Sequence, residues 1–144
     1  FIAYGEQDRQ AGEFVETIEV PLVPKGNLFA VYKISKRRDE DISALCGAFH
    51  LALKDGVVDE VRIAYGGMAA TPKRASGAEA ALKGQPWPDA ALEAAVMALG
   101  DDFAPISDMR ASADYRRLAA QNLLRRFHLE SGGETVSLRR GDAA

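Results

Sequence analysis

The step Asp55-Gly56 constrains this chain more than any other pair of residues. Asp-Gly tolerates the two positive φ angles of the tight turn that joins antiparallel strands. Beyond it, Val57, Val58, Val61, Ile63 and Tyr65 form a β-branched, strand-like run. A hairpin needs a strand on its near side too. Ile42, Leu45, Cys46, Phe49 and Leu53 also fit a helical stripe, but the turn favours a strand over about Ala48 to Lys54. A helical turn or bulge has room before it. Leu28 to Ile34 predicts another strand, and the alternation over Gly12 to Val20 predicts one more. Gly66-Gly67 should end the strand after the hairpin, as a tight turn or a place where another backbone or a ligand comes close.

After residue 75 the chain becomes rich in alanine. Ser76 and Glu79 have capping-box spacing and predict a short helix stopped at Gly84. Pro86-Trp87-Pro88 reads as a rigid turn, and Asp89 to Leu99 as a helix stopped by Gly100. Ser112 can cap a third helix, running to about Leu129 with an apolar face of Tyr115, Leu118, Ala119, Leu123 and Phe127. Ser131-Gly132-Gly133 breaks it, and the tail from Glu134 is either a last strand or frayed. Strands first and helices later is the α+β order, so the expectation is an antiparallel β-sheet with helices packed on one face.

With 144 residues, 47% of them hydrophobic, the chain suits one domain with a real core. A net charge of -3 and a pI near 5.4 argue against nucleic-acid binding. The single cysteine, Cys46, cannot form an intrachain disulfide or a Cys-rich metal site, and a reducing, cytoplasmic setting fits it. No stretch approaches the ~20 apolar residues of a membrane span, and no leader pattern precedes the first strand. Phe1 in place of Met fits a fragment or a processed chain, and a partner domain on the N-terminal side is the expectation.

Between two predicted strands lies the run Lys33-Ile-Ser-Lys-Arg-Arg-Asp-Glu-Asp-Ile42. Such charge density belongs in a polar loop, because burying it without partners is costly. Lys33 and Arg37 could hold a phosphate or steady an anionic ring, or the loop could simply be solvated. Asp39, Glu40 and Asp41 lack the spacing and glycine of a calcium loop, so no metal site is expected. His50 and His128 lie far apart in sequence with no neighbouring ligand motif, and Cys46 reads as a packed thiol. Lys73 and Arg74 could touch an anion or form a basic lip, and Arg116, Arg117, Arg125 and Arg126 read as solvated helix edges. No catalytic residue is assigned.

Tyr32-Lys-Ile-Ser-Lys-Arg-Arg-Asp-Glu-Asp-Ile42 and Arg62-Ile-Ala-Tyr-Gly-Gly-Met-Ala69 together resemble the flavoprotein part of xanthine dehydrogenases, members of the molybdenum hydroxylase family. Pro72-Lys-Arg-Ala75, Glu79-Ala-Ala-Leu-Lys-Gly84 and Ser107-Asp-Met-Arg-Ala-Ser-Ala-Asp-Tyr-Arg116 continue the likeness in order. The matching region is the C-terminal domain of the FAD-binding portion, and the carbon monoxide dehydrogenase flavoproteins share its fold. The resemblance implies that residues 1–11 are a linker or the end of a preceding FAD domain, that 12–130 form the C-terminal domain and that 131–144 are a tail.

It implies FAD shared with the preceding domain and NAD+ as electron acceptor. The 2Fe–2S clusters and molybdenum cofactor would lie elsewhere in a heteromeric complex, with iron–sulfur domains and a molybdenum-binding large subunit as partners. Electrons from purine oxidation would reach the flavin through the clusters. Lys33 takes the position of the lysine beside the flavin, Arg37 and Arg38 match the paired arginines of the adjoining loop, and Val15 takes an apolar position near the cofactor. The acids of the loop would fix its shape. The competing expectation is a non-catalytic assembly module whose charged loop forms only a subunit interface.

Overall fold

In the computed structural model, which describes residues 2–37, 39–87 and 91–136, four antiparallel strands lie in sequence order. They are β1 (Leu28–Ile34), β2 (Leu45–Lys54), β3 (Val57–Gly66) and the two-residue β4 (Lys73–Arg74). Asp55 and Gly56 turn from β2 into β3 with φ of 52° and 77°, the two positive angles this turn requires. β2 begins at Leu45, directly in strand, without the helical turn that its apolar spacing allowed. The alternation decides it: Leu45, Gly47, Phe49 and Leu51 are buried, and the residues between them are not.

Three helices, α1 (Ser76–Leu82), α2 (Leu92–Asp102) and α3 (Ala113–Ser131), complete the chain. The inward row of the sheet, Tyr32, Leu45, Phe49, Leu51, Val61, Ile63 and Tyr65, forms one core with Ala78, Leu82, Val96, Leu99, Leu123, Leu124 and Phe127 of the helices. The fold is therefore α+β with the helices on one face of an antiparallel sheet. Gly47 sits amid the inward aromatics because a Cβ there would lie 2.9 Å from the Tyr65 ring and 3.0 Å from that of Phe49.

Several local expectations are corrected. Residues 12–20 hold no strand, and Phe14, Val15, Ile18 and Val20 are exposed. An alternating pattern becomes a strand only where a neighbour takes up its hydrogen bonds, and no described strand pairs with this segment.

The capping box does not form, because Glu79 is engaged elsewhere. Its carboxylate accepts the Ile63 amide at 2.7 Å and the Arg74 guanidinium at 2.8 Å, closing the edge of β3. Asp102 takes over the cap from the end of α2, accepting the amides of Gly77 at 2.8 Å and Ala78 at 3.0 Å. α2 runs past Gly100, expected to stop it, to this Asp102. The expected start of α2 at Asp89 lies outside the described residues.

The cap at Ser112 forms as expected, its hydroxyl accepting the Tyr115 amide. The buried stripe of α3, however, is Arg116, Ala119, Ala120, Leu123, Leu124 and Phe127, while Tyr115 and Leu118 are exposed. The expected face is rotated because an arginine takes a core position. The tail forms no strand over 134–136, and the rest of it lies outside the described residues.

Candidate functional site

Among the described residues, one face of the sheet has no helix on it. Along β1, Phe29 and Val31 point there, 55% and 53% exposed, and Lys33 follows them, also exposed. Period-two alternation puts these three side chains in one row, opposite Tyr32 in the core. Lys33 pairs in register with Cys46 of β2, a half-buried free thiol. Farther along this face, Val20 to Pro24 border a hollow of about 610 Å³ that is also lined by Phe29, Ala48, His50 and Arg62.

The charged run is a loop, as expected, and its acids shape it. The Asp41 carboxylate accepts the Arg37 amide at 2.9 Å, and the Arg37 guanidinium donates to the Glu40 carbonyl at 2.9 Å. The Ser35 hydroxyl donates to the Arg37 carbonyl at 2.6 Å. The Arg37 amide, more than any other group, holds the Asp41 carboxyl below the usual carboxylate range. Glu40 takes a φ of 50°, the left-handed bend that tightens the turn. Arg38 lies outside the described residues. Val15 lies off the sheet on the unpaired segment and is 68% exposed.

Behind this loop stands a residue whose importance its sequence context concealed. Arg116, read as a solvated edge, is 3% exposed. Its guanidinium donates to the carbonyl of Ala44, to that of Gly67 at 2.7 Å and to the Asp108 carboxylate at 2.7 Å. Asp108 also accepts the amides of Arg110 and Ala111, so the turn of residues 108–111 winds around its carboxylate. Met109 of that turn accepts the Lys36 ammonium at 2.6 Å. Gly67 has a φ of 81°, and a Cβ there would lie 2.7 Å from the Ala44 carbonyl oxygen and 3.1 Å from the Arg116 guanidinium. The Gly66-Gly67 step is thus both a turn and a close backbone approach. The helical spacing of Arg116 with Ala119, Ala120 and Leu123 is the signal that would have found it.

The Arg110 amide, then the Arg116 guanidinium, pull the Asp108 carboxyl down to about 2. A depressed carboxyl stabilises the fold at pH values above its ordinary pKa of 3.8, and that stabilisation is lost as pH falls through the folded value. Asp108→Asn should therefore remove part of the acid dependence of stability between about pH 4 and pH 2. Denaturation midpoints measured across that window check this; parallel curves for variant and parent would contradict it.

The remaining candidates are engaged in structure. Arg74 pairs with Glu79, and Lys73 donates to the Asp102 carbonyl and lies over the Phe103 ring. The Asn27 amide donates to His50 Nε2 at 3.0 Å, and His128 packs edge-on against Trp87. Among the described residues no His, Cys, Asp and Glu cluster could hold a metal ion, and no helix is long and apolar enough to cross a membrane.

The helix-backed antiparallel sheet, with three helices on one face, is the architecture of a class of flavoprotein domain that the chain's sequence also matches. The family model described as the CO dehydrogenase flavoprotein C-terminal domain matches residues 30–131, and the chain belongs to that family. It is 34% identical over 134 residues to a nicotinate hydroxylase of Emericella nidulans, covering 88% of this chain and 10% of that protein. It is 31% identical over 128 residues to a xanthine dehydrogenase FAD-binding subunit of Escherichia coli, covering 88% of this chain and 44% of the subunit. A solved carbon monoxide dehydrogenase of Hydrogenophaga pseudoflava superposes with a TM-score of 0.67 at 34% identity, covering 74% of this chain and 37% of that one. The chain thus spans less than half the length of these relatives.

Proposed function

We propose that this chain closes one side of the flavin site in the FAD-binding portion of a molybdenum hydroxylase. The observation that carries this reading is the position of Lys33, an exposed cation at the end of an apolar row, Phe29 and Val31, on the helix-free face of the sheet. The residues fit one part of the cofactor. An apolar strip ending in a cation suits an aromatic ring that gains negative charge on reduction. No glycine-rich phosphate motif occurs in the sequence, so the phosphates fall to the preceding portion of the protein. When bound, FAD supplies the exchange of electrons between the iron–sulfur clusters and the final acceptor. Lys33 contributes a fixed positive charge, and the loop with Arg37 and Arg38 borders the approach to the ring. Val15 keeps its proposed place near the cofactor only if the preceding domain brings residues 12–20 back toward the sheet.

The finer reading is a xanthine dehydrogenase-type enzyme with NAD+ as acceptor. It rests on the loop Arg37-Arg-Asp-Glu-Asp-Ile42. The relatives act on nicotinate, xanthine and carbon monoxide by name, so the oxidised substrate is set outside this domain. The preceding FAD and iron–sulfur domains and a molybdenum-binding large subunit are the partners this reading requires, in the cytoplasm.

In the complete FAD-loaded enzyme, Lys33→Ala should slow NAD+ reduction by roughly ten-fold, less than the roughly hundred-fold or greater cost of losing one water-excluded oxyanion-hole donor, because Lys33 stands at an exposed position. Reduction of the molybdenum centre by purine should stay near the parent rate. Stopped-flow measurement of the two half-reactions separates them. Unchanged NAD+ reduction together with an unchanged flavin potential would sink the role of Lys33 and leave the loop as a subunit interface.

A further inference from the structure

We propose that Arg116 and Asp108 are positioning residues that fix the charged loop beside Lys33 from behind, through two separate ties. The consequence at the flavin rests on the function proposed above; the mechanical part does not. The first tie is direct. Arg116 donates to the carbonyl of Ala44, the residue before β2, and the Ala44 amide donates to the Ile34 carbonyl at 2.8 Å. Ile34 is the neighbour of Lys33, so Arg116 is two hydrogen bonds away from the end of the strand that presents the lysine. The second tie runs through Asp108, whose carboxylate organises the 108–111 turn, and through Met109, whose carbonyl holds Lys36 in the middle of the loop. One guanidinium therefore governs both the root and the midpoint of the segment from Ile34 to Ala44.

The chemistry of the position favours this role over simple packing. A planar fork with five donors can serve two carbonyls and a carboxylate from three chain segments at once, and an ammonium cannot match that geometry. Gly67 leaves the space that the fork and the Ala44 carbonyl occupy. Packing alone would be met more cheaply by an apolar side chain, since a buried ion pair is costly to desolvate. What the arginine adds is directional: it specifies where Ala44, Gly67 and the 108–111 turn stand relative to one another.

The test uses the complete FAD-loaded protein, with Asp108→Asn, Arg116→Lys and Lys36→Met. Lys36 is exposed, so its variant folds even where Arg116→Lys does not. Two readouts are needed. Amide hydrogen exchange over residues 35–44 should rise about ten-fold in Asp108→Asn, the opening expected from loss of one charge-assisted hydrogen bond. Acceptor turnover should fall by roughly ten-fold at unchanged KM for the oxidised substrate, and the double variant with Lys33→Ala should be no slower than the slower of the two single variants, because both changes act on one element. Parent-like exchange in all three variants overturns the proposal. So does a loosened loop whose loss of turnover adds fully to that of Lys33→Ala, which would make these residues merely structural. If Lys33→Ala alone changes nothing, the flavin reading fails, and the exchange of residues 35–44 then decides the positioning role by itself.

Discussion

Arg116→Met is expected to destabilise the domain by about 2–4 kcal/mol, the cost of leaving a buried and a part-buried carbonyl without their donor. Three acceptors depend on that guanidinium: the Ala44 carbonyl, the Gly67 carbonyl and the Asp108 carboxylate. Methionine fills much of the volume and restores none of the donors, so the buried Ala44 carbonyl and the part-buried Gly67 carbonyl lose their partner, while the more exposed Asp108 carboxylate returns to water. The urea midpoint should drop by about 1–2 M, taking a slope near 2 kcal/mol per M. The neighbouring arginine provides the control. Arg117 pairs with Asp114, whose side chain is 95% exposed, and Arg117→Met should leave the midpoint within error. Equal shifts for the two variants would contradict the buried network.

That contrast also shows where sequence reasoning reached and where it stopped. Elements set by local chemistry were legible. The Asp55-Gly56 turn needs only its own φ angles, Ser112 needs only the amide of Tyr115, and β1 follows from the apolar run Leu28–Ile34. Features set by distant partners were not. Asp102 caps a helix that begins 26 residues earlier, and Glu79 abandons its own helix terminus for the edge of β3. The segment 12–20 has the pattern of a strand but lacks a neighbour among the described residues to pair with.

The candidate site divides in the same way. The loop and Lys33 announced themselves by charge and by likeness to a family. Their support did not, because arginines at adjacent positions, Arg116 and Arg117, look alike in a sequence and lie at 3% exposure and at the surface in the fold. Charge on a helix reads as solvated unless the apolar stripe around it is counted first. Arg116 falls on the stripe and Arg117 does not.

Phe49→Ala should cost about 3–5 kcal/mol, the usual range for emptying a buried phenylalanine site. The ring is 1% exposed and stacks on Phe127 with centroids 5.1 Å apart. It also meets Tyr65 edge-on at 5.8 Å and Tyr32 at 5.7 Å. These partners come from β1, β3 and α3, so the cavity would open where sheet and helices join, with little freedom to collapse. Phe29 offers the opposite case. It sits on β1 beside His50 of β2, on the helix-free face, and is 55% exposed. In the isolated chain Phe29→Ala should change stability by no more than about 0.5 kcal/mol, as surface substitutions do. In the complete protein the same substitution should weaken retention of FAD during gel filtration, because the apolar row ending in Lys33 would then be covered. Phe49→Ala should lower the unfolding midpoint in both contexts. If Phe29→Ala leaves FAD retention at the parent level, the open face does not border the flavin, and the two faces of this sheet differ only in their share of the core.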